Sequence, residues 1–337
     1  MSSMKRIIPF VRVLEPYLTD EAVTEIMVND GGSRIFIERQ GRIEQLSGVR
    51  IETVSLTAAI KNIFRDNGLE ISESQPARDA RLEDGSRVTA VLAPISVSGP
   101  ILTIRRHPRS FSLVQLVEAE MLTSYASGLL CAAVTEGANV LISGRTGSGK
   151  TTLLNALAAT LPDHERILLI EAPAEIAICK PNLIRLEARL EEIPLGQETP
   201  LPAVTIGQLV RTALRLRPDR IVVGETRGGD AWELLQCWNS GHSGSLSTIH
   251  ANSAVLAITR FVHCVLMAQM NLPASGIRQD LGDMLRYVVH VELEHGRRQV
   301  REIIRVRGYD RRARRFQIEP LYTALTREDS CPTERAS

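Results

Sequence analysis

Residues Gly144 to Thr151 read GRTGSGKT, a spacing of two glycines, a lysine and a hydroxyl that suits the chemistry of phosphate oxygens. Glycines at 144, 147 and 149 let successive backbone N–H groups turn inward around an anion without side-chain clashes. Lys150 supplies a point charge for the β- and γ-phosphates, and the Thr151 hydroxyl can ligate Mg²⁺. Arg145, Thr146, Ser148 and Thr152 complete the loop and its first helical turn. The pattern arises by chance in roughly one chain of this length in a hundred, so its context matters. An apolar run, NVLIS (139–143), leads in, and the helix-period segment TLLNALAATL follows. That helix would aim its N-terminal dipole at the same phosphates. The expected ligands are ATP and Mg²⁺.

A phosphate cradle alone does not hydrolyse a nucleotide, because water must be oriented and the metal shell completed. Two acids end apolar runs of strand type: Glu171 closes ILLIE, and Glu225 follows RIVVG. In a parallel sheet both fall on the edge that also carries the cradle. Glu225 has the Walker B layout, with Glu where Asp is commoner, and its extra methylene lets it reach metal-bound water. The bland reading of an isolated strand-end acid is a helix cap.

The elements that must position these groups divide the chain. Residues 1–106 read as a smaller α+β domain. Asp20 to Met27 has apolar residues at helical spacing, with Asp20 as a cap. RIFIERQGRIEQL alternates about a Gly41 turn, and RLEDGSRVTAVLAP about Asp84-Gly85, so both are hairpins. Thr53 to Asn67 is a helix ending at Gly68, and GPILTIRRH is a last strand. Residues 107–119 form a connector. Over 120–322, short buried-type strands alternate with helices. This is the α/β pattern of a mainly parallel sheet covered on both faces. Pro194 to Pro202 is a Pro-rich loop, and 323–337 a polar tail.

RPDRIVVGETRGGDAWELLQCWNSGHSGSLSTIHANS (217–253), taken with GRTGSGKTTLLNAL, resembles the type II/type IV secretion ATPases. That family has conjugal-transfer members of the TrbB kind, pilus-assembly members of the CpaF kind, and pilus-retraction motors. VTEIMVND, DARLEDGSRVTAVLAP and ILTIRR extend the resemblance toward the N-terminus. It implies a RecA-like motor domain in a homo-hexameric ring, with nucleotide sandwiched between the two domains. It also implies work at inner-membrane components of a secretion or pilus machine. Residue by residue, Glu175 matches the acid that activates the attacking water and Glu225 the Walker B glutamate. His250 matches the γ-phosphate-sensing histidine, and His242 lies in the same block. Arg87 and Arg105 match N-terminal arginines that reach the phosphates, with Arg81 and Arg106 as near neighbours. The family's E-D-x-x-E box reads Glu171-Ala172-Pro173-Ala174-Glu175 here, so one carboxylate is missing at Ala172.

Composition sets limits on function. Lys and Arg total 40 against 39 Asp and Glu, a formal net charge of +1, which gives no bulk reason to expect direct nucleic-acid binding. Cys131, Cys179, Cys237, Cys264 and Cys331 form no metal-ligand spacing and suit a reducing compartment. No apolar run approaches the ~20 residues of a membrane span. The expectation is therefore a cytoplasmic protein, peripherally associated with the inner membrane. The basic block RVRGYDRRARRF (305–316) reads as a solvated face or subunit contact. Trp232, Trp238, Met267, Met270 and Met284 read as packing residues. Two alternatives share the cradle: a nucleotide-gated switch with little turnover, and a RecA-like nucleic-acid motor.

Overall fold

A computed structural model describes residues 10–39, 41–82, 84–106, 111–189, 191 and 199–324. They cluster in two compact units, one of 10–106 with 191 and 199–203, the other of 111–189 and 204–324.

The first unit is an antiparallel sheet of strands β1 (Val23–Asn29), β2 (Arg34–Arg39), β3 (Arg42–Gln45), β4 (Ala77–Arg81), β5 (Arg87–Val91) and β6 (Ile101–Arg105). Their order is β3-β2-β1-β6-β5-β4. Two helices accompany it, α1 (Glu15–Thr19) and α2 (Thr53–Asp66). One sheet face carries Ile26, Val28, Ile35, Ile37, Val88, Leu102 and Ile104, packed with Leu56, Ile60, Ile63 and Phe64 of α2. Each such buried side chain contributes about 1.5–3 kcal/mol. Both expected hairpins form, with Gly41 at φ 76° and Gly85 at φ 85°.

The helix expected over Asp20 to Met27 is instead the strand β1. Val23, Ile26 and Val28 are buried, and a register shift between Val23 and Glu25 creates the three-residue spacing that imitates a helical period. Asp20 Oδ1 accepts the Ala22 N–H at 2.8 Å in a turn, and the residue closes the C-terminus of α1 instead of starting a helix after it. The run V-T-E-I-M-V is rich in β-branched side chains, which fit a pleated surface better than a helix.

The second unit opens with α3 (Leu113–Glu118), inside the segment read as connector and held by a Ser112/Gln115 capping box. Residues 107–110 of that segment lie outside the described residues. Then come α4 (Ser124–Thr135), β7 (Asn139–Gly144), α5 (Lys150–Ala159), β8 (Ile167–Glu171), β9 (Leu183–Glu187), α6 (Ile206–Ala213), β10 (Arg220–Val223), α7 (Asp230–Asn239), β11 (Leu246–His250), α8 (Ala254–Leu266) and α9 (Ala274–Met284). Three long strands finish the unit: β12 (Leu285–Glu294), β13 (Arg297–Asp310) and β14 (Arg315–Thr323). The strand order is β14-β13-β12-β7-β11-β10-β8-β9. The strands from β12 to β9 in that order run parallel, while β13 and β14 fold back antiparallel. Helices cover both faces. Val140 and Ile142 of β7 join one core with residues of α4 and α5, and Leu141 joins the other with α6 to α9.

Trp238 is buried and stacks on Phe261 with centroids 5.3 Å apart, and Trp232 is partly buried against the same core. Met267 and Met270 are 59% and 46% exposed, which overturns their reading as core; they follow α8 and face solvent. The basic block 305–316 is the end of β13, a tight turn and the start of β14. Part of the Pro-rich loop (194–198) and the tail from 325 onward lie outside the described residues.

Candidate nucleotide site

β7 feeds straight into the glycine loop, and α5 leaves it. Gly149 is at φ 98° and Gly147 at φ 75°, conformations that favour glycine. A Cβ on Gly144 would fall 2.3 Å from the Val291 carbonyl oxygen of β12, so the loop can only start here with glycine. Ser148 is buried with its Oγ unpartnered. Lys150 is buried too, its ammonium donating to the Arg145 carbonyl at 2.9 Å. Burial pulls the Lys150 pKa below the usual lysine range, against the upward pull of the Glu225 carboxylate. A desolvated ammonium and an orphaned hydroxyl in a cradle of glycines fit an anion with several oxygen acceptors.

The neighbouring strands bring the rest of the site to this edge. Gly144 pairs with His250 at the end of β11. Thr226 donates its N–H to the Thr248 carbonyl at 2.8 Å, and Gly224 its own to Ile170 at 2.8 Å, so Glu225 is fixed between β11 and β8. Its Oε1 lies 2.9 Å from His250 Nε2, and its Oε2 accepts from Arg227 at 2.6 Å. His250 Nδ1 is 3.5 Å from Lys150 Nζ. A neutral imidazole suits the Lys150 contact, its Nδ1 lone pair facing the ammonium, while Glu225 Oε1 stays buried without a hydrogen-bond partner despite its closeness to Nε2. Burial, followed by Lys150, depresses the His250 pKa and favours this neutral form. Lys150, His250, Glu225 and Arg227 thus form one continuous polar chain across three elements.

Glu171 has a different task from the one its strand-end position suggests. It is 2% exposed, and its Oε1 accepts the N–H groups of Glu175 and Ile176, each at 2.7 Å. It therefore shapes the loop that presents Glu175. Burial is the largest influence on it and raises its pKa, with the two backbone donors pulling the other way. A Cβ on Gly224 would sit 3.3 Å from Glu171 Cγ, which explains a glycine immediately before Glu225. Glu175 itself is partly buried, within electrostatic reach of Arg227.

The remaining expected residues fall in three places. Arg145, Thr146, Thr151 and Thr152 are on the loop and the first turn of α5, and Arg145 Nε donates to Asn252 Oδ1 at 3.2 Å. Arg87 and Arg105 belong to the other unit, directly opposite each other on β5 and β6, with Arg81 next in the same row. Arg87 also pairs with Asp79 at 2.6 Å. His242 is not with His250. It precedes β11 at the edge where the parallel strands begin, beside Ser240 Oγ at 3.2 Å, and β11 separates the two imidazoles by about 13 Å of strand. Shared membership of one sequence block suggested a common site, and an intervening strand rules that out.

Among the described residues no group of three or more His, Cys, Asp or Glu has metal-site geometry. Mg²⁺ bound to a nucleotide needs none, since it is held by one or two protein oxygens, phosphates and water.

The sequence model of the family described as "Type II/IV secretion system protein" matches residues 11–310. The chain belongs to this family. It is 34% identical over 317 residues to the conjugal transfer protein TrbB of Rhizobium radiobacter, covering 93% of this chain and 91% of that one. It is 33% identical over 324 residues to the type IV secretion system protein PtlH of Bordetella pertussis, covering 87% and 92%. Among solved structures, the pilus retraction motor PilT with bound ADP matches with a TM-score of 0.63 at 19% identity, covering 93% and 83%. That last likeness concerns the fold alone.

Three residues of the site escaped the sequence reading. Arg227 grips Glu225, Asn252 ties the loop after His250 to Arg145, and Arg298 of β13 donates to the Gly147 carbonyl at 2.9 Å. Arg227 had a local signal, a cation two residues after the Walker B acid. Asn252 and Arg298 had none, because their contacts cross 107 and 151 residues.

One further group underlies the cradle. His290 on β12 is buried, its Nδ1 3.0 Å from the Oγ of Ser143, the residue before the loop. Burial lowers its pKa below 6.5, opposed by Glu302 and Glu292. The unfolded chain then binds more protons than the folded one below about pH 6.5. Stability from this group is complete above that pH and is lost as pH falls through the folded value. The melting temperature is expected to rise from pH 5.5 to 7, and His290→Asn to flatten that rise. An unchanged slope in the variant would remove His290 as its source.

Proposed function

We propose that this family member is a Mg²⁺-dependent ATPase working as a homo-hexameric motor. It would power a conjugal-transfer, type IV secretion or pilus-assembly machine from the cytoplasmic face of the inner membrane. The observation that carries the reading is the convergence of Lys150, His250 and Glu225 on the edge of the sheet where the glycine loop begins. Residues 120–322 are read as a RecA-like motor domain, 1–106 as its N-terminal domain, with 107–119 as connector and 323–337 as tail.

In this mechanism Glu175 takes a proton from water as the water oxygen attacks the γ-phosphorus. The bond from that phosphorus to the β-γ bridging oxygen breaks, leaving ADP and phosphate. Lys150 neutralises charge on the β- and γ-oxygens, and the loop N–H groups of 147–151 hold the rest. Mg²⁺, held by the Thr151 hydroxyl and by Glu225 directly or through water, would screen the phosphates. His250 exchanges its Lys150 contact for a γ-phosphate oxygen and loses that oxygen when phosphate leaves, which marks the nucleotide state on the strand leading to α8. Arg87 and Arg105 are read as supplying guanidinium groups to the phosphates. The absent acid at Ala172 leaves Glu175 in place, so turnover is retained.

The direct test is steady-state ATP hydrolysis by the purified protein with and without Mg²⁺, alongside light scattering on the same sample. The expected result is Mg²⁺-dependent turnover from a particle of about six chains. Tight ATP binding without turnover, or a stable monomer in saturating nucleotide, would replace the motor by a switch.

A further inference from the structure

The hairpin joining β13 to β14 carries charge that the nucleotide site does not use. Tyr287 of β12 is opposite Arg305 of β13, which sets Val306 and Arg307 beside the first two residues of β12, so residues 308–310 continue past its start at Leu285. Three residues of strand carry the tip about 10 Å further, away from the glycine loop. The tip reads Asp310-Arg311-Arg312-Ala313-Arg314-Arg315.

Its shape is fixed from inside. Asp310 Oδ1 accepts the N–H groups of Arg312 at 2.8 Å and Ala313 at 2.9 Å, and Arg314 takes a left-handed φ of 51°. Tyr309 and Phe316 meet edge to face, with centroids 5.0 Å apart. Arg311 Nε donates to Gln279 Oε1 of α9 at 3.0 Å. Gly282 lets α9 approach closely, because a Cβ there would fall 2.7 Å from the Tyr309 nitrogen. Arg312, Arg314 and Arg315 are left exposed on a braced turn whose one acid is bonded inward.

The adjoining edge of the sheet has the same sign. Arg215 and Arg217 before β10, and Arg286 near the start of β12, are exposed. At that edge Arg220 pairs with Glu165 and Lys180 with Asp163, while the exposed acids Glu136, Asp219 and Asp283 offset part of the remaining positive charge. A chain of net charge +1 thus keeps a local surplus of guanidinium groups at the end opposite its nucleotide site.

We propose that this arginine-tipped hairpin docks the protein on an anionic phospholipid surface. The proposal rests on the membrane-side location given above. Three features favour a lipid headgroup layer over other polyanions. The arginines are presented end-on from a protruding turn and along an edge, rather than lining a groove. The nearby aromatics are committed to each other, with Tyr309 only 9% exposed, so no platform exists for stacking bases. The only uncharged side chain between them is Ala313, so adhesion is electrostatic and reversible, without insertion. Each arginine close to such a surface strengthens binding about fivefold.

The test is co-sedimentation of the full chain with vesicles of phosphatidylcholine alone and with added phosphatidylglycerol, at 0.1 M and 0.5 M salt. Binding is expected only with the anionic vesicles and only at low salt. Replacing Arg312, Arg314 and Arg315 together by Ala should weaken it about a hundredfold, while the triple Lys variant stays within a few-fold. ATP turnover, measured in parallel, should match the parent in both variants. That readout separates failure of this proposal from failure of the ATPase reading. Equal binding to neutral vesicles, an Ala variant that binds like the parent, or tighter binding to duplex DNA than to anionic vesicles in the same buffer would each overturn it.

Discussion

Glu175→Gln is expected to lower steady-state ATP turnover by about 10²–10⁴-fold while ATP affinity stays within a few-fold of the parent. The substitution keeps size and polarity but removes the proton acceptor. It leaves the groups that grip phosphate untouched, since Lys150, Ser148 and the loop amides are on other elements. A fluorescent ATP analogue reads binding, and phosphate release reads turnover. Equal losses in both would show that Glu175 positions nucleotide rather than activating water. Full turnover in the variant would remove it as the base.

The second large effect is structural and separates Glu171 from Glu175. Glu171→Ala strips the buried amide of Ile176 and the partly buried amide of Glu175 of their shared acceptor. Unsatisfied buried amides cost about 1–3 kcal/mol each, so a loss of roughly 2–5 kcal/mol is expected. In a domain of this size that is a fall of roughly 5–15 °C in melting temperature, with turnover falling because the Glu175 loop is no longer held. Glu171→Gln keeps an oxygen in the same place and should cost no more than about 1 kcal/mol, because it also relieves a carboxylate whose pKa burial has raised. The sign of that shift means Glu171 favours folding most below about pH 4.5, and the contribution fades as pH rises through its folded pKa. Thermal melts of both variants at neutral pH decide the matter. If Ala and Gln destabilise equally, the oxygen acceptor is not what holds the loop.

Glu171 also shows where local pattern stops informing. In the sequence Glu171 and Glu225 look alike, each ending an apolar run. In the structure one bonds its own loop and is buried, and the other faces His250 and Arg227 in the site. The difference lies in what the adjacent strand offers. Gly224, lacking a side chain, leaves room for the Glu171 methylenes and so turns that carboxylate into its own loop.

The sequence by itself determined the glycine loop and its helix, the parallel strands β7, β8 and β10, the two N-terminal hairpins and the family. Each depends on residues close in the chain: glycines at positive φ, unbroken apolar runs, and turn residues between alternating segments. Tertiary structure alone decided which distant groups meet. His250 reaches Lys150 across 100 residues because β11 inserts next to β7. His242, eight positions earlier in the same block, is left at the opposite edge by the same strand. Arg298 arrives at the loop only because β13 folds back beside β12. The order of strands in a sheet is set by how whole faces pack, and no short window of sequence contains that information.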